Sequence, residues 1–132
     1  MKYLINLDNH IFDSKVNILD KNNNVAYFSQ YDFSYKNRVH IYDNLDNEIG
    51  YVQYIIFKNQ KDNLIYDKFD SLMEFNNWKI INESNKKNVY VNEEIVMNIE
   101  DNKQIEILNE DLKDKCILFA YSLIGKGEQK ND

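Results

Sequence analysis

The five residues that begin at Asp20 resemble the opening of a calcium-binding loop. Asp20, Asn22 and Asn24 place three oxygen-bearing side chains at alternate positions, as the first ligands of such loops do. The sixth position is Val25 where these loops need glycine, and the twelfth is Tyr31 where a glutamate should complete the ligand set. We therefore favour a hairpin turn over a metal site here, and we predict no cofactor.

Two histidines and one cysteine are the other residues that could bind zinc or act in catalysis. His10 and His40 are too few for a zinc site without cysteine ligands, and Cys116 falls in an apolar segment that we expect to be buried. Because burial raises the pKa of a thiol and hides it from substrates, Cys116 is predicted to be a core residue. His40 alternates with apolar neighbours and is predicted to face solvent from a strand; a general base at His40 is the alternative.

Signatures of nucleophilic catalysis and of nucleotide binding are missing from the sequence. No serine or cysteine motif lies near either histidine, and three glycines cannot form a glycine-rich phosphate loop. We therefore predict that the chain is not an enzyme. A small hydrolase or isomerase that uses His40 with neighbouring carboxylates is the alternative, and a structural subunit of a complex is a third hypothesis.

The charge of the chain bears on its partners. The formal net charge of −6 would repel a nucleic-acid backbone, so nucleic-acid binding is not expected. Five basic residues near strand-end turns are the candidates for a patch that binds phospholipid headgroups: Arg38, Lys58, Lys61, Lys86 and Lys87. The alternative for the same residues is solubilising charge scattered over an acidic protein. Trp78, with Phe75 and Met73, could be an exposed anchor, but a core cluster is favoured.

Length and composition favour one soluble domain. A chain of 132 residues with 43% hydrophobic residues can bury a single core. One cysteine allows no intrachain disulfide, the first residues turn polar too early for a signal peptide, and the apolar run at residues 116–124 is too short to span a bilayer. We predict a cytoplasmic protein without a transmembrane segment, and the abundance of Asn, Lys, Ile and Tyr indicates a low-GC bacterium.

Alternation of apolar and polar residues dominates the sequence from its start to about residue 108, and it predicts antiparallel strands joined by hairpins. We predict strands at residues 15–20, 25–28, 38–43, 48–52, 53–57, 64–68, 77–82, 88–92, 95–99 and 104–108. Ten or so short strands favour a closed or nearly closed barrel, which removes exposed edges, and a sandwich is the alternative.

Two of these units look like copies of each other. Ile18-Leu19-Asp20 and Ile41-Tyr42-Asp43 each end a strand and enter a turn rich in Asn and Asp, at a period of roughly twenty-odd residues. Asn and Asp tolerate the left-handed backbone of tight turns, which suits a chain with few glycines. We expect positive φ at Asn23 and Asp46.

A helix is predicted at residues 110–124, near the C-terminus. Asn109 can cap its start, and Gly125 stands where a left-handed C-cap belongs. From Cys116 onward the helix is apolar around nearly its whole circumference, so we expect it to be enclosed. The fold predicted is therefore mainly β: an antiparallel barrel of about 10–12 strands around this helix. One domain covers residues 1–125, and residues 126–132 form a polar tail.

The paired Ile-x-Asp-turn units, followed by further strands and an apolar terminal helix, resemble the LURP-one-related proteins, which belong to the tubby C-terminal-like group together with phospholipid scramblases. The resemblance is clearest over residues 15–53 and 104–124. It implies a barrel of about twelve strands around a central helix. The chain departs from the family in being short, in carrying Asn23 and Asp46 where glycine is favoured, and in its residues 57–75.

The resemblance also implies an association with phosphoinositide headgroups, membrane tethering or lipid movement, and it transfers no functional residue. The function predicted from the sequence is a non-enzymatic binding or membrane-tethering module that recognises phospholipid headgroups or a protein partner. Fold analogy is a weak basis for choosing between these ligands.

Overall fold

The structure is a computed structural model, which describes residues 1–9, 14–54 and 63–124. Its ten strands are β1 (Lys2–Asn9), β2 (Ser14–Leu19), β3 (Val25–Tyr31), β4 (Arg38–Asp43), β5 (Glu48–Gln53), β6 (Leu64–Asp67), β7 (Trp78–Glu83), β8 (Lys86–Val91), β9 (Glu94–Glu100) and β10 (Gln104–Ile107). A 3₁₀ turn (Glu110–Leu112) and the helix α1 (Lys113–Ile124) follow. Five predictions lie outside the described residues: His10, the strand beyond residue 54, the candidates Lys58 and Lys61, the Gly125 cap and the tail at 126–132.

The ten strands form one antiparallel sheet in the order β6-β5-β4-β3-β2-β1-β10-β9-β8-β7. This confirms a mainly β fold with one C-terminal helix. The sheet is not closed within the described residues, because β6 and β7 are its two edges and do not pair with each other. A closed barrel is therefore not confirmed, and the strand count lies at the lower limit of the predicted range.

The first strand joins the two halves of the sheet. β1 pairs with β2 on one side, where Ile5 lies opposite Ile18, and with β10 on the other, where Tyr3 lies opposite Ile105. We did not predict a separate strand at residues 2–9, because its role comes from pairing with a segment about a hundred residues away, which no local pattern encodes.

The core lies between the sheet and α1. Every strand contributes at least one buried apolar side chain to a single cluster that also holds five residues of the helix: Cys116, Ile117, Leu118, Ala120 and Tyr121. Asn109 caps the 3₁₀ turn as predicted, since its side chain accepts a 3.0 Å hydrogen bond from the backbone N–H of Asp111.

The helix is not buried on all sides, which corrects the prediction of complete enclosure. Phe119 and Leu123 are only partly buried. Both line a cavity of about 480 Å³ that also contacts Ile65 of β6 and Trp78 of β7. The physical reason is the open seam between these two strands, where none of the strands in the described part of the chain covers α1.

Because neighbouring strands are antiparallel, the connections alternate between two ends of the sheet. We call one the upper end; it holds residues 32–37, 84–85 and 101–103. We call the other the lower end; it holds the turns at residues 20–24, 43–47 and 67–71, residues 92–93 and the start of the helical segment at residue 110. The two ends carry different surfaces.

Candidate functional site

Three turns at the lower end share one pattern of hydrogen bonds. In the turn at residues 20–24, the Asp20 Oδ1 atom accepts the backbone N–H groups of Asn22 and Asn24 at 2.9 and 3.0 Å. The backbone N–H of Asp20 donates to the Asn24 carbonyl oxygen, and that of Asn23 donates to the Asp20 carbonyl oxygen. Each turn is thus fixed by its own aspartate, as in an Asx-turn.

The turns that begin at Asp43 and Asp67 repeat these contacts. Each Oδ1 atom accepts two backbone N–H groups at 2.8 to 3.0 Å. The fourth residue of each turn has a left-handed backbone: φ is 65° at Asn23, 65° at Asp46 and 67° at Asp70. The predicted positive φ values at Asn23 and Asp46 are therefore confirmed.

The third copy lies within residues 57–75, where the chain departs from the family that it resembles. Ile65-Tyr66-Asp67 is identical in sequence to Ile41-Tyr42-Asp43, and Ile18, Ile41 and Ile65 stand 23 and 24 residues apart. This spacing is the signal that could have found it. The hydrogen bonds also explain the calcium-like spacing at Asp20, because its carboxylate is aimed into its own turn.

A cavity of about 720 Å³ lies at the lower end, between the turns at 43–47 and 67–71 and the start of the helical segment. Apolar surface comes from Ile49, Met73 and Leu118. Its charged lining comprises six carboxylates and three ammonium groups: Asp43, Glu48, Asp67, Glu110, Asp111 and Asp114, with Lys68, Lys113 and Lys115. Negative charge therefore exceeds positive charge around an apolar floor.

Two large apolar side chains project from the turns that border this cavity, and Phe69 is one of its lining residues. Leu45 and Phe69 occupy the same third position of their turns, and their exposed fractions are 74% and 75%. Four hydrogen bonds close each turn, so the backbone that carries these side chains is ordered before a partner covers them. The sequence marks Leu45 and Phe69 only as apolar residues inside polar turns.

His40 lies on β4 between two carboxylates. Its Nε2 atom is 2.6 Å from Asp32 Oδ2, and its Nδ1 atom is 2.6 Å from Glu48 Oε2. Burial of the ring lowers the pKa of His40, but the hydrogen bonds with Asp32 and Glu48 outweigh it, and the net shift is upward. The hydrogen bond with His40, with two backbone N–H donors, lowers the pKa of Asp32 to about 2.

This geometry suits a structural bridge between β5 and the loop at residues 32–37. Both ring nitrogens of His40 face acceptors, so a doubly protonated ring satisfies both contacts and neither nitrogen is left to take a proton from a substrate. The two carboxylates lie on opposite sides of the ring and do not converge on one point. The side chain is mostly covered rather than solvent-facing, which corrects the predicted exposure.

The basic residues that we considered as candidates for a headgroup-binding patch do not form one contact cluster within the described residues. Arg38 lies between the rings of Tyr35 and Tyr51, with its guanidinium carbon 4.1 and 4.6 Å from the two ring centres. Lys86 and Lys87 lie on β8, at the same upper end but six strands away in the order of the sheet. Lys86 is registered opposite both Glu83 and Glu100. Lys58 and Lys61 lie outside the described residues.

The aromatic group near the start of β7 belongs to the core. The Trp78 ring centre is 4.9 Å from those of Phe75 and Phe119, and Met73 packs against the same cluster. Cys116 is fully buried, and burial raises the pKa of its thiol to about 12. Both findings match the predicted core roles.

Comparison of the chain with protein-family models, with curated proteins and with solved structures found no match. The resemblance to the LURP-one-related proteins therefore stays a prediction from the sequence. No helix among the described residues is long and apolar enough to cross a membrane.

Proposed function

We propose that the chain is a non-enzymatic protein-binding module whose recognition surface is the lower end. The observation that carries the proposal is the matched position of Leu45 and Phe69 on two hydrogen-bonded turns beside the largest of the cavities described above. Aromatic residues such as Phe69 are enriched in the cores of protein interfaces, and an ordered turn backbone lowers the entropy lost when a partner binds.

The charge around these anchors indicates the chemistry of the partner. Six carboxylates and three lysines line the cavity, so the lower end attracts a cationic group. Glu110 lies 3.7 Å from the N-terminal ammonium group, and Asp114 accepts a hydrogen bond from Tyr27, whereas the Asp111 side chain makes no hydrogen bond or ion pair within the described residues. The partner that fits is a protein segment with alternating basic and apolar residues.

The alternatives receive less support from the same contacts. A hydrolase or isomerase that uses His40 would need a free ring nitrogen, and both nitrogens are engaged by carboxylates. Phospholipid headgroup binding at the upper end would need a surplus of basic groups, yet Glu83, Glu100 and Asp101 lie beside Lys86 and Lys87. Membrane tethering and the tubby-like barrel rest on the resemblance alone.

Binding to a designed peptide tests this proposal. Fluorescence anisotropy would measure the affinity of the chain for a labelled peptide of alternating Lys and Leu, for a matched Glu and Leu peptide, and for vesicles with and without an anionic lipid. We expect binding to the basic peptide, weakening as salt screens the carboxylates. Phe69→Ser should reduce the affinity by at least about tenfold, as loss of an interface anchor does.

Phe33 provides the matched control, because it is a fully exposed phenylalanine at the upper end. Phe33→Ser should leave peptide binding unchanged. If Phe33→Ser weakens binding as much as Phe69→Ser does, or if the chain binds anionic vesicles and no peptide, the lower-end proposal is wrong.

A further inference from the structure

The strand β7 is an edge strand, and no described segment pairs with its outer side. Five of its six residues, from Lys79 to Glu83, are exposed, including Ile80 at 37% and Ile81 at 48%. The other edge of the sheet, β6, is covered by the segment that follows it. The Met73 backbone N–H donates to the Ile65 carbonyl oxygen, and Leu72 forms a β-bridge with Tyr66. Among residues 1–9, 14–54 and 63–124, the chain therefore protects β6 with its own residues and leaves β7 open.

The hairpin between β7 and β8 determines which backbone groups of β7 are open. A two-residue turn at Ser84 and Asn85 makes Glu83 and Lys86 a hydrogen-bonded pair. Because such pairs alternate along antiparallel strands, the backbone N–H and C=O groups of residues 79, 81 and 83 are hydrogen-bonded to β8. The backbone N–H of Trp78 agrees with this alternation. It points away from β8 and donates to the Phe75 carbonyl oxygen. The N–H and C=O groups of Ile80 and Asn82 therefore face outward with no hydrogen-bond partner among the described residues.

We infer that β7 pairs with β7 of a second copy of this chain, antiparallel and around a two-fold axis. In the register that sets Ile81 opposite Ile81 of the second copy, Ile80 lies opposite Asn82, and each such pair exchanges two backbone hydrogen bonds. The open groups of the edge are then satisfied in both chains.

Charge complementarity selects this partner and this register. Lys79 then lies opposite Glu83 of the second copy, twice by symmetry, at positions where facing side chains come close. Glu83 uses its Oε1 atom to accept a hydrogen bond from Asn88, which leaves Oε2 for the lysine. A strand that pairs with its own copy in this way forms a closed dimer and offers no further edge, because β6 is already covered.

Charge exchange at these two positions tests the dimer. Sedimentation equilibrium should show a reversible dimer of the native chain, and both Lys79→Glu and Glu83→Lys should weaken self-association by at least about tenfold through like-charge repulsion. A mixture of the two variants should form a heterodimer, because a carboxylate of one chain then faces an ammonium group of the other at both symmetry-related positions. The double variant K79E/E83K should recover the homodimer.

Controls separate charge from folding. Lys103→Glu and Glu94→Lys make the same charge changes at exposed positions away from β7, in the turn before β10 and at the start of β9, and they should leave the dimer unchanged. Hydrogen exchange gives an internal control: the amides of Ile80 and Asn82 should gain protection as the protein concentration rises, while those of Lys79 and Ile81 should not change. A chain that stays monomeric at all concentrations, or a dimer that survives Glu83→Lys, would overturn the inference, as would a mixture that fails to form the heterodimer.

Discussion

The hydroxyl of Tyr121 donates a 2.7 Å hydrogen bond to the carbonyl oxygen of Val16, which ties the buried face of α1 to β2. Both residues are buried, and the same carbonyl also accepts a longer contact of 3.3 Å from Ser29 Oγ. Ser29 Oγ also accepts a 3.0 Å hydrogen bond from the backbone N–H of Val16. The Ser29 side chain therefore takes the place of backbone hydrogen bonds where β2 and β3 separate. The helix is therefore fixed in register by a polar contact inside an apolar core.

The first prediction is that Tyr121→Phe destabilises the fold by about 1–2 kcal/mol, because a buried acceptor loses its shorter hydrogen bond. Denaturant unfolding would measure the free-energy change. Tyr35→Phe is the control, since Tyr35 is exposed and contacts Arg38 through its ring, and it should change stability by less than about 0.5 kcal/mol. Equal losses for both variants would contradict this account.

The second prediction concerns Gly50, where β5 passes very close to β6. A Cβ atom at this position would lie 2.9 Å from Leu118 Cδ1 and in still closer contact with the Tyr66 carbonyl oxygen, and φ is 156°. Gly50→Ala should therefore cost more than about 2 kcal/mol, since the backbone of β6 has to move. A thermal melt that matches the native chain would show that the strands are farther apart than described.

The third prediction compares residues within the repeated turns. Asp43→Ala and Asp67→Ala each remove an acceptor of two backbone N–H groups, and each should cost about 1–2 kcal/mol. Asn23→Gly should be neutral or mildly stabilising, because glycine adopts the positive φ at that position without strain. A loss above about 1 kcal/mol for Asn23→Gly would assign a separate role to its side chain.

The fourth prediction is a pH dependence that comes from His40 and Asp32. The pKa of His40 is raised, so its stabilising effect is complete below its ordinary value near 6.5 and is lost as the pH rises through the folded value. The pKa of Asp32 is lowered to about 2 from 3.8, so its contribution is present above pH 4 and is lost as the pH falls towards 2. These two groups therefore stabilise the fold most between about pH 4 and 6.5.

His40→Gln tests the upper part of this range. Unfolding measured from pH 5 to pH 9 should show the native chain losing stability on the alkaline side, and the variant should lose less. A native chain whose stability is flat above pH 6, or a variant with the same slope, would contradict the bridge between Asp32 and Glu48.

The fifth prediction concerns the single thiol. Cys116 is fully buried, and burial raises its pKa to about 12, so a thiol reagent should react with the native chain far more slowly than with the unfolded chain. Lysine-directed labelling of exposed Lys103 under the same conditions shows that the chain is otherwise accessible to reagents. Rapid reaction of Cys116 without denaturant would mean that α1 is not enclosed on that face.

Local patterns were sufficient to predict most strands, the helix and two of the three turns. Alternation placed Val39 and Ile41 on the buried face, and Asn109 marked the cap. Contacts between distant segments were not predictable in this way. The pairing of β1 with β10 and the open seam beside Phe119 depend on how the whole sheet curves, and hydropathy does not report that curvature.

Less of the candidate site than of the fold could be predicted from the sequence. We considered Asp20 as a metal ligand and His40 as a base. In the structure, the Asp20 side chain accepts backbone N–H groups of its own turn, and the His40 ring contacts two carboxylates. The sequence does not single out Leu45 and Phe69, because a single apolar residue in a polar turn is common. Their importance comes from the shared turn geometry and from the cavity between the turns, which only three-dimensional structure reveals.

The central claim is that a basic, apolar protein segment binds at the lower end. Nuclear magnetic resonance of the ¹⁵N-labelled chain, titrated with the Lys and Leu peptide, tests it residue by residue. We predict shifts of the amide signals in the turns 43–47 and 67–71 and at residues 110–115, with signals at 32–37 and 84–87 unchanged. Shifts confined to residues 32–37 and 84–87, or no shifts in either region, would contradict the claim.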